Sequence, residues 1–239
     1  MKYIFLLILL TLSTALVEVT AQQSTTAGQK YALIIGISNY PNFPAKHQLK
    51  YADQDAMQFK NFLRSPEGGA FPGANIRLLT NADAKRERIE GEIEWLSKRV
   101  HRDDTVYVFF SGHGMEDDNG IVYFMPYGSD SRRPGVGSLR SNYFLKDLSE
   151  KITSQHLIVF LDACHAAAAT TKDGTAKGDP ANVSAALKKI WEEAFKGQEA
   201  SNFAFFSSST GQRSWEDQEK HRGVFTWFLL EGQEEAHVG

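Results

Sequence analysis

The chain has only one cysteine, Cys164, so no disulfide can close within it. It has little net charge, −3 at pH 7 from 26 basic and 29 acidic residues, and therefore no general attraction to nucleic acid or an anionic membrane. Repeats and coiled-coil heptads are absent. No histidine pair shows the His-x3-His spacing with a carboxylate that a zinc hydrolase needs. Long hydrophobic runs are missing too. The stretch Ile4 to Leu12 is too short to span a membrane and leads to the small-residue pattern Val19-Thr-Ala21. It reads as a secretory signal peptide over residues 1–21, with no cysteine nearby to carry a lipid. Residues 22–29 read as a flexible polar leader and 30–239 as one domain. The expected location is exported, periplasmic or extracellular, with no membrane contact after signal removal. A lone thiol in an oxidising compartment is a candidate reactive group.

What is present is an alternation of strand and helix patterns. Continuous apolar runs at Tyr31 to Ile37, Ile76 to Leu79, Thr105 to Phe110, Leu157 to Leu161 and Phe203 to Ser208 read as buried strands. Helical spacing marks Leu49 to Leu63, Ala84 to Val100, Ser141 to Ile152 and Val224 to Glu231. Asp117-Asp-Asn-Gly120 forms a turn that leads into a hairpin at Ile121 to Met125. The fold class is α/β, with a mainly parallel sheet covered by helices on both faces. Ser129 to Leu139 reads as an exposed loop, and Ala166 to Asn182 as a long loop without a strand signal.

Two of the strand runs end in chemistry. Leu157-Ile-Val-Phe-Leu-Asp-Ala leads directly into Cys164, and Thr105-Val-Tyr-Val-Phe-Phe leads into Ser111-Gly-His-Gly114. Ligands of open α/β sheets bind beyond the carboxyl ends of strands. A thiol and an imidazole at that edge suggest a nucleophile with its proton partner. Asp162, two residues before the thiol, belongs near the same channel. The histidines His47, His101, His156, His221 and His237 have no recognisable partner and read as surface or loop residues.

The ordered set Tyr31-Ala-Leu-Ile-Ile-Gly, Leu49-Lys-Tyr-Ala-Asp-Gln-Asp-Ala56, Ser111-Gly-His-Gly114, Asp162-Ala-Cys-His165 and Gly223-Val-Phe-Thr resembles the caspase-like cysteine peptidases, closest to the metacaspase and bacterial caspase-homologue branch. The histidine precedes the cysteine by about 50 residues, as in caspase signatures. The resemblance implies a caspase-like three-layer sandwich. It implies His113 and Cys164 as the catalytic dyad, with the backbone amides of Gly114 and Cys164 facing the oxyanion. It places Asp55 and Asp162 on the floor of a pocket, with Ser111 as a polar wall and Ala52 where relatives often carry cysteine. Two carboxylates in a partly dry pocket repel each other until a cation arrives. The implied substrates are thus peptides with Arg or Lys before the cut. Asp53 is a rival on a different helix face. His165 reads as a local structural or pocket-wall residue.

The resemblance requires no cofactor, and calcium is the one it leaves open. Asp117, Asp118, Asp130 and Asp173 are available carboxylates without EF-hand spacing. Lys172, Lys177, Lys188 and Lys189, read as lying in the loop after the thiol, are expected sites of self-cleavage. Arg213, Ser214 and Trp215 match substrate-contacting loop positions. Ala166 to Ala169 depart from the family's usual Ser-Gly. The alternatives are a catalytically silent caspase-fold adaptor and a gingipain- or legumain-like peptidase of different specificity. Nothing in the sequence assigns the oligomeric state.

Overall fold

The computed structural model describes residues 28–163, 169–170, 176–177, 180–198, 200–207 and 216–231. In chain order the elements are β1 (Lys30–Gly36), α1 (Ala52–Arg64), β2 (Ile76–Thr80), α2 (Arg86–Ser97), β3 (Thr105–Ser111), β4 (Gly114–Glu116), β5 (Val122–Phe124), β6 (Leu139–Arg140), α3 (Ser141–Lys151) and β7 (His156–Asp162). They continue with β8 (Ala169–Thr170), β9 (Ala176–Lys177), α4 (Pro180–Ala194), β10 (Phe203–Phe206), β11 (Glu216–Asp217), β12 (Arg222–Gly223) and α5 (Val224–Glu231). Five strands form one sheet in the order β10-β7-β3-β1-β2, and every neighbouring pair is parallel. These are the five runs singled out in the sequence.

Side chains alternate across a strand, so a strand buried on both faces feeds two cores. Leu33 and Ile35 of β1 join Val106, Val108, Val159 and Leu161 against α2 and α3, through Ile89, Ile93, Phe144 and Leu148. Leu187 of α4 is buried in this same layer. Ala32 and Ile34 point the other way, to Ala56, Phe59 and Leu63 of α1, with Phe225 and Leu229 of α5 packed alongside. The result is a three-layer sandwich. Each fully buried Leu, Ile or Phe contributes roughly 1.5–3 kcal/mol to it. No described helix is long and apolar enough to cross a membrane.

Helix α1 begins at Ala52 rather than Leu49, because Tyr51 has the non-helical φ of −128°. Its buried stripe is Ala52, Asp55, Ala56, Phe59 and Leu63. One carboxylate thus sits in an otherwise apolar row. Gly36, where β1 ends, lets α1 lie directly on the sheet. A Cβ there would run into the Ala52 carbonyl and stand 2.5 Å from the Ala56 Cβ. Helix α2 likewise starts late, at Arg86, after Lys85 in extended backbone.

Two loop readings are corrected. Ser129, Asp130, Ser131 and Ser138, expected in an exposed loop, are buried. They can be buried because the segment satisfies its own polar groups. Asp130 accepts from the Arg132 amide at 2.9 Å and pairs with the Arg133 guanidinium at 2.9 Å, while Ser129 Oγ donates to the Gly137 carbonyl. The stretch expected as the loop 166–182 contains the paired strands β8 and β9, and α4 opens at Pro180, a residue suited to a helix start. Lys188 and Lys189 therefore stand on a helix, not in a loop, and helical backbone is the wrong shape for a cleavage site that must be extended. Lys177 lies in β9, and Lys172 is outside the described residues.

Candidate active site

The site lies at the carboxyl edge of β3 and β7. Ser111 pairs in register with Asp162, and the Gly112 amide donates to the Asp162 carbonyl at 3.1 Å, so the two strands stay side by side to their ends. Just beyond, Gly114 has its Cα against the Ala163 carbonyl. A Cβ on Gly114 would collide with that oxygen, so only glycine permits this approach. Cys164, the next residue after Ala163, is outside the described residues. So are His165, Asp173, Arg213, Ser214, Trp215 and His237.

His113 is 2% exposed and held from three directions. Its ring lies against Tyr40, centroids 4.8 Å apart, and stacks on Phe43 at 5.2 Å. Its backbone amide donates to Tyr40 Oη at 2.9 Å, and its carbonyl accepts from the Met125 amide at 3.0 Å. Nε2 lies 2.7 Å from the His47 carbonyl. A carbonyl can only accept, so Nε2 carries the hydrogen and the neutral ring's lone pair is on Nδ1. Burial pushes the Tyr40 phenol far above its ordinary value, which keeps it neutral. His47 was read as having no partner. It supplies this contact through its backbone, which no side-chain pattern reveals.

Asp55 and Asp162 do come together. Asp55 is 1% exposed and Asp162 7%. The Gly223 amide donates to both oxygens of Asp55, at 3.1 and 3.0 Å. A Cβ on Gly223 would stand 2.7 Å from Asp55 Oδ2 and 3.1 Å from Asp162 Oδ2. The two carboxylates thus converge around one backbone position. Burial raises the Asp55 pKa from 3.8 to about 7, opposed by the Gly223 amide and reinforced by repulsion from Asp162 and Glu216. Ser111 is buried at the end of β3, and Ala52 is buried one helical turn before Asp55.

Asp53 is not in this group. It accepts from Ser38 Oγ at 2.6 Å and from Asn81 Nδ2 at 2.9 Å, tying the turn after β1 to the turn after β2. Among the other histidines, His101 approaches Asp104 at 3.6 Å and His221 Nδ1 lies 3.3 Å from Tyr51 Oη, so both have a neighbour the sequence did not show. Sequence reasoning also missed Glu216, whose carboxylate accepts from the Lys50 amide at 2.8 Å and the Tyr51 amide at 2.7 Å at the start of α1. The only advance signal for it was an acidic residue near the glycine-bearing end of the chain. Asp117 accepts from the amides of Asn119 and Ile121, so its carboxylate serves its own turn. Among the described residues, no group of three or more His, Cys, Asp or Glu side chains is placed to hold a metal ion.

A family model described as the caspase domain matches residues 29–237. Metacaspase-1 of Saccharomyces cerevisiae is 28% identical over 160 residues, covering 60% of this chain and 35% of that protein. A probable protease of a Desulfuromonadales bacterium is 30% identical over 157 residues, covering 57% of this chain and 18% of that protein. The chain therefore aligns with about a third or less of the length of these relatives. A crystal structure of a Geobacter sulfurreducens protein shares the fold, with a TM-score of 0.59 at 16% identity over 87% of this chain and 83% of that one. With nearly its whole length matched by the family model and its parallel sheet carrying His113 at the expected strand end, the chain belongs to the caspase-domain family of cysteine peptidases.

Proposed function

We propose that the protein is an exported cysteine endopeptidase that cuts peptide bonds after Arg or Lys, using His113 and Cys164 as its dyad. The observation that carries the specificity is the convergence of Asp55 and Asp162 beside the strand end that bears His113. A guanidinium or ammonium entering between them relieves their repulsion and receives charge-assisted hydrogen bonds.

In the proposed reaction the Cys164 thiol gives its proton to Nδ1 of His113, the resulting thiolate attacks the scissile carbonyl carbon, and the negative oxygen is met by the amides of Gly114 and Cys164. The C–N bond breaks as His113 passes a proton from Nδ1 to the leaving amine, leaving a thioester. Water then adds to the thioester, His113 takes its proton, and the acid departs with the thiol restored. The His47 carbonyl keeps the imidazole oriented through both steps by holding Nε2–H.

The test is turnover of fluorogenic peptides ending in Arg, Lys, Asp or Asn, with and without calcium, beside Cys164→Ala. Cleavage after Arg and Lys that disappears in Cys164→Ala supports the reading. Cleavage after Asp or Asn removes the acidic-pocket argument, and no turnover at all favours a silent adaptor. A protein recovered only from the cytoplasm with residues 1–21 intact contradicts the proposed export.

A further inference from the structure

Strands β11 and β12 form a two-residue hairpin in which Glu216 pairs with Gly223 and Asp217 with Arg222. The Glu216–Gly223 pair holds the first turn of α1 at two points. Glu216 takes the amides of Lys50 and Tyr51, and Gly223 gives its own amide to Asp55. The hairpin thus ties the start of α1 to the Asp55 carboxylate, one of its two attachment points being at the converging carboxylates.

The φ of Gly223 lies outside the left-handed region, so its backbone conformation is open to any L-residue. The need for glycine has another source. Among the described residues, a methyl group would press on two carboxylate oxygens and no other atoms within 3.5 Å. It would crowd two already buried carboxylate oxygens while offering them no hydrogen bond. The same residue's amide holds both Asp55 oxygens in place. The Gly223 amide thus fixes the Asp55 side of the pair, and its missing side chain keeps carbon out of the place where Asp55 Oδ2 and Asp162 Oδ2 converge. We propose that Gly223 is a specificity-determining residue: its lack of a side chain is what leaves room for a basic group between Asp55 and Asp162. Glu216 is the positioning residue that aligns it. This inference rests on the proposed cleavage after Arg or Lys.

The experiment compares wild type with Gly223→Ala by the rates of two thiol reagents. A peptidyl-arginine chloromethyl ketone must fill the pocket to alkylate Cys164, whereas iodoacetamide need not. The expected result is a fall on the order of 10- to 100-fold in the arginine reagent's rate, the scale of losing charged hydrogen bonds. The iodoacetamide rate is expected to stay as in wild type. Equal arginine-reagent rates in both proteins overturn the inference. Loss of both rates together overturns it as well, since residue 223 is then required by the fold and not by the pocket. If wild type itself does not prefer the arginine reagent over its asparagine counterpart, the reading of basic specificity fails, a result distinct from either of these.

Discussion

Replacing Asp55 with Asn should make the protein more stable at neutral pH while removing recognition of basic residues. The Asp55 carboxyl titrates at about 7 in the fold, against 3.8 for the ordinary group, so the folded chain holds this proton more tightly than the unfolded one. Its contribution is most favourable below about pH 4, declines as pH rises from 4 to 7, and is least favourable above 7. At 1.36 kcal/mol per pH unit, ionised Asp55 opposes folding by about 4 kcal/mol above pH 7. Asparagine keeps an oxygen for the Gly223 amide and carries no charge for Asp162 to repel. Thermal denaturation of wild type and Asp55→Asn at pH 4.5 and pH 8 measures the difference. The two proteins should nearly coincide at the lower pH, and the variant should melt higher at the upper one by up to about 10 °C. The same variant should lose its preference for Arg and Lys peptides. A stability difference that does not change with pH, or a variant less stable at pH 8, refutes the placement of a buried, repelled carboxyl at this position.

Two further substitutions probe the supports of the site. Tyr40→Phe removes the acceptor of the buried His113 amide and should lower stability by about 1–3 kcal/mol. Peptide turnover should show a lower kcat with KM nearly unchanged, and an unaltered kcat would mean that Tyr40 does not position the histidine. Glu216→Ala removes the acceptor for two amides at the start of α1 and should cost about 0.5–2 kcal/mol, read as a lower Tm. Its KM for arginine peptides should rise more than its kcat falls, and a fall in kcat alone would argue against a positioning role at the pocket.

The five strands of the sheet were legible because each is a continuous apolar run, the signature of burial on both faces. The pairing of Ser111-Gly-His-Gly114 with Asp162-Ala163 at one edge was legible for the same reason, since adjacent parallel strands end together. Helix α4 was not. Its start follows a run of small and polar residues, and the apolar spacing of Ala186, Leu187, Ile190 and Trp191 emerges only further along. The burial of Ser129, Asp130, Ser131 and Ser138 was hidden because polar residues enter the interior only when particular partners meet them.

The sequence by itself determined the order of the five sheet strands and of helices α1, α2, α3 and α5, the family, and the residue types available for the chemistry: an imidazole, a lone thiol and two candidate carboxylates. Tertiary structure decided how those groups are held. Asp55 and Gly223 lie 168 positions apart and His47 and His113 66 apart, yet both pairs share hydrogen bonds. Each of these bonds uses a backbone group, and backbone groups are the same in every residue, so no sequence pattern marks them. The raised pKa of Asp55 likewise arises only once the folded chain has excluded water from its carboxyl and brought Asp162 to face it.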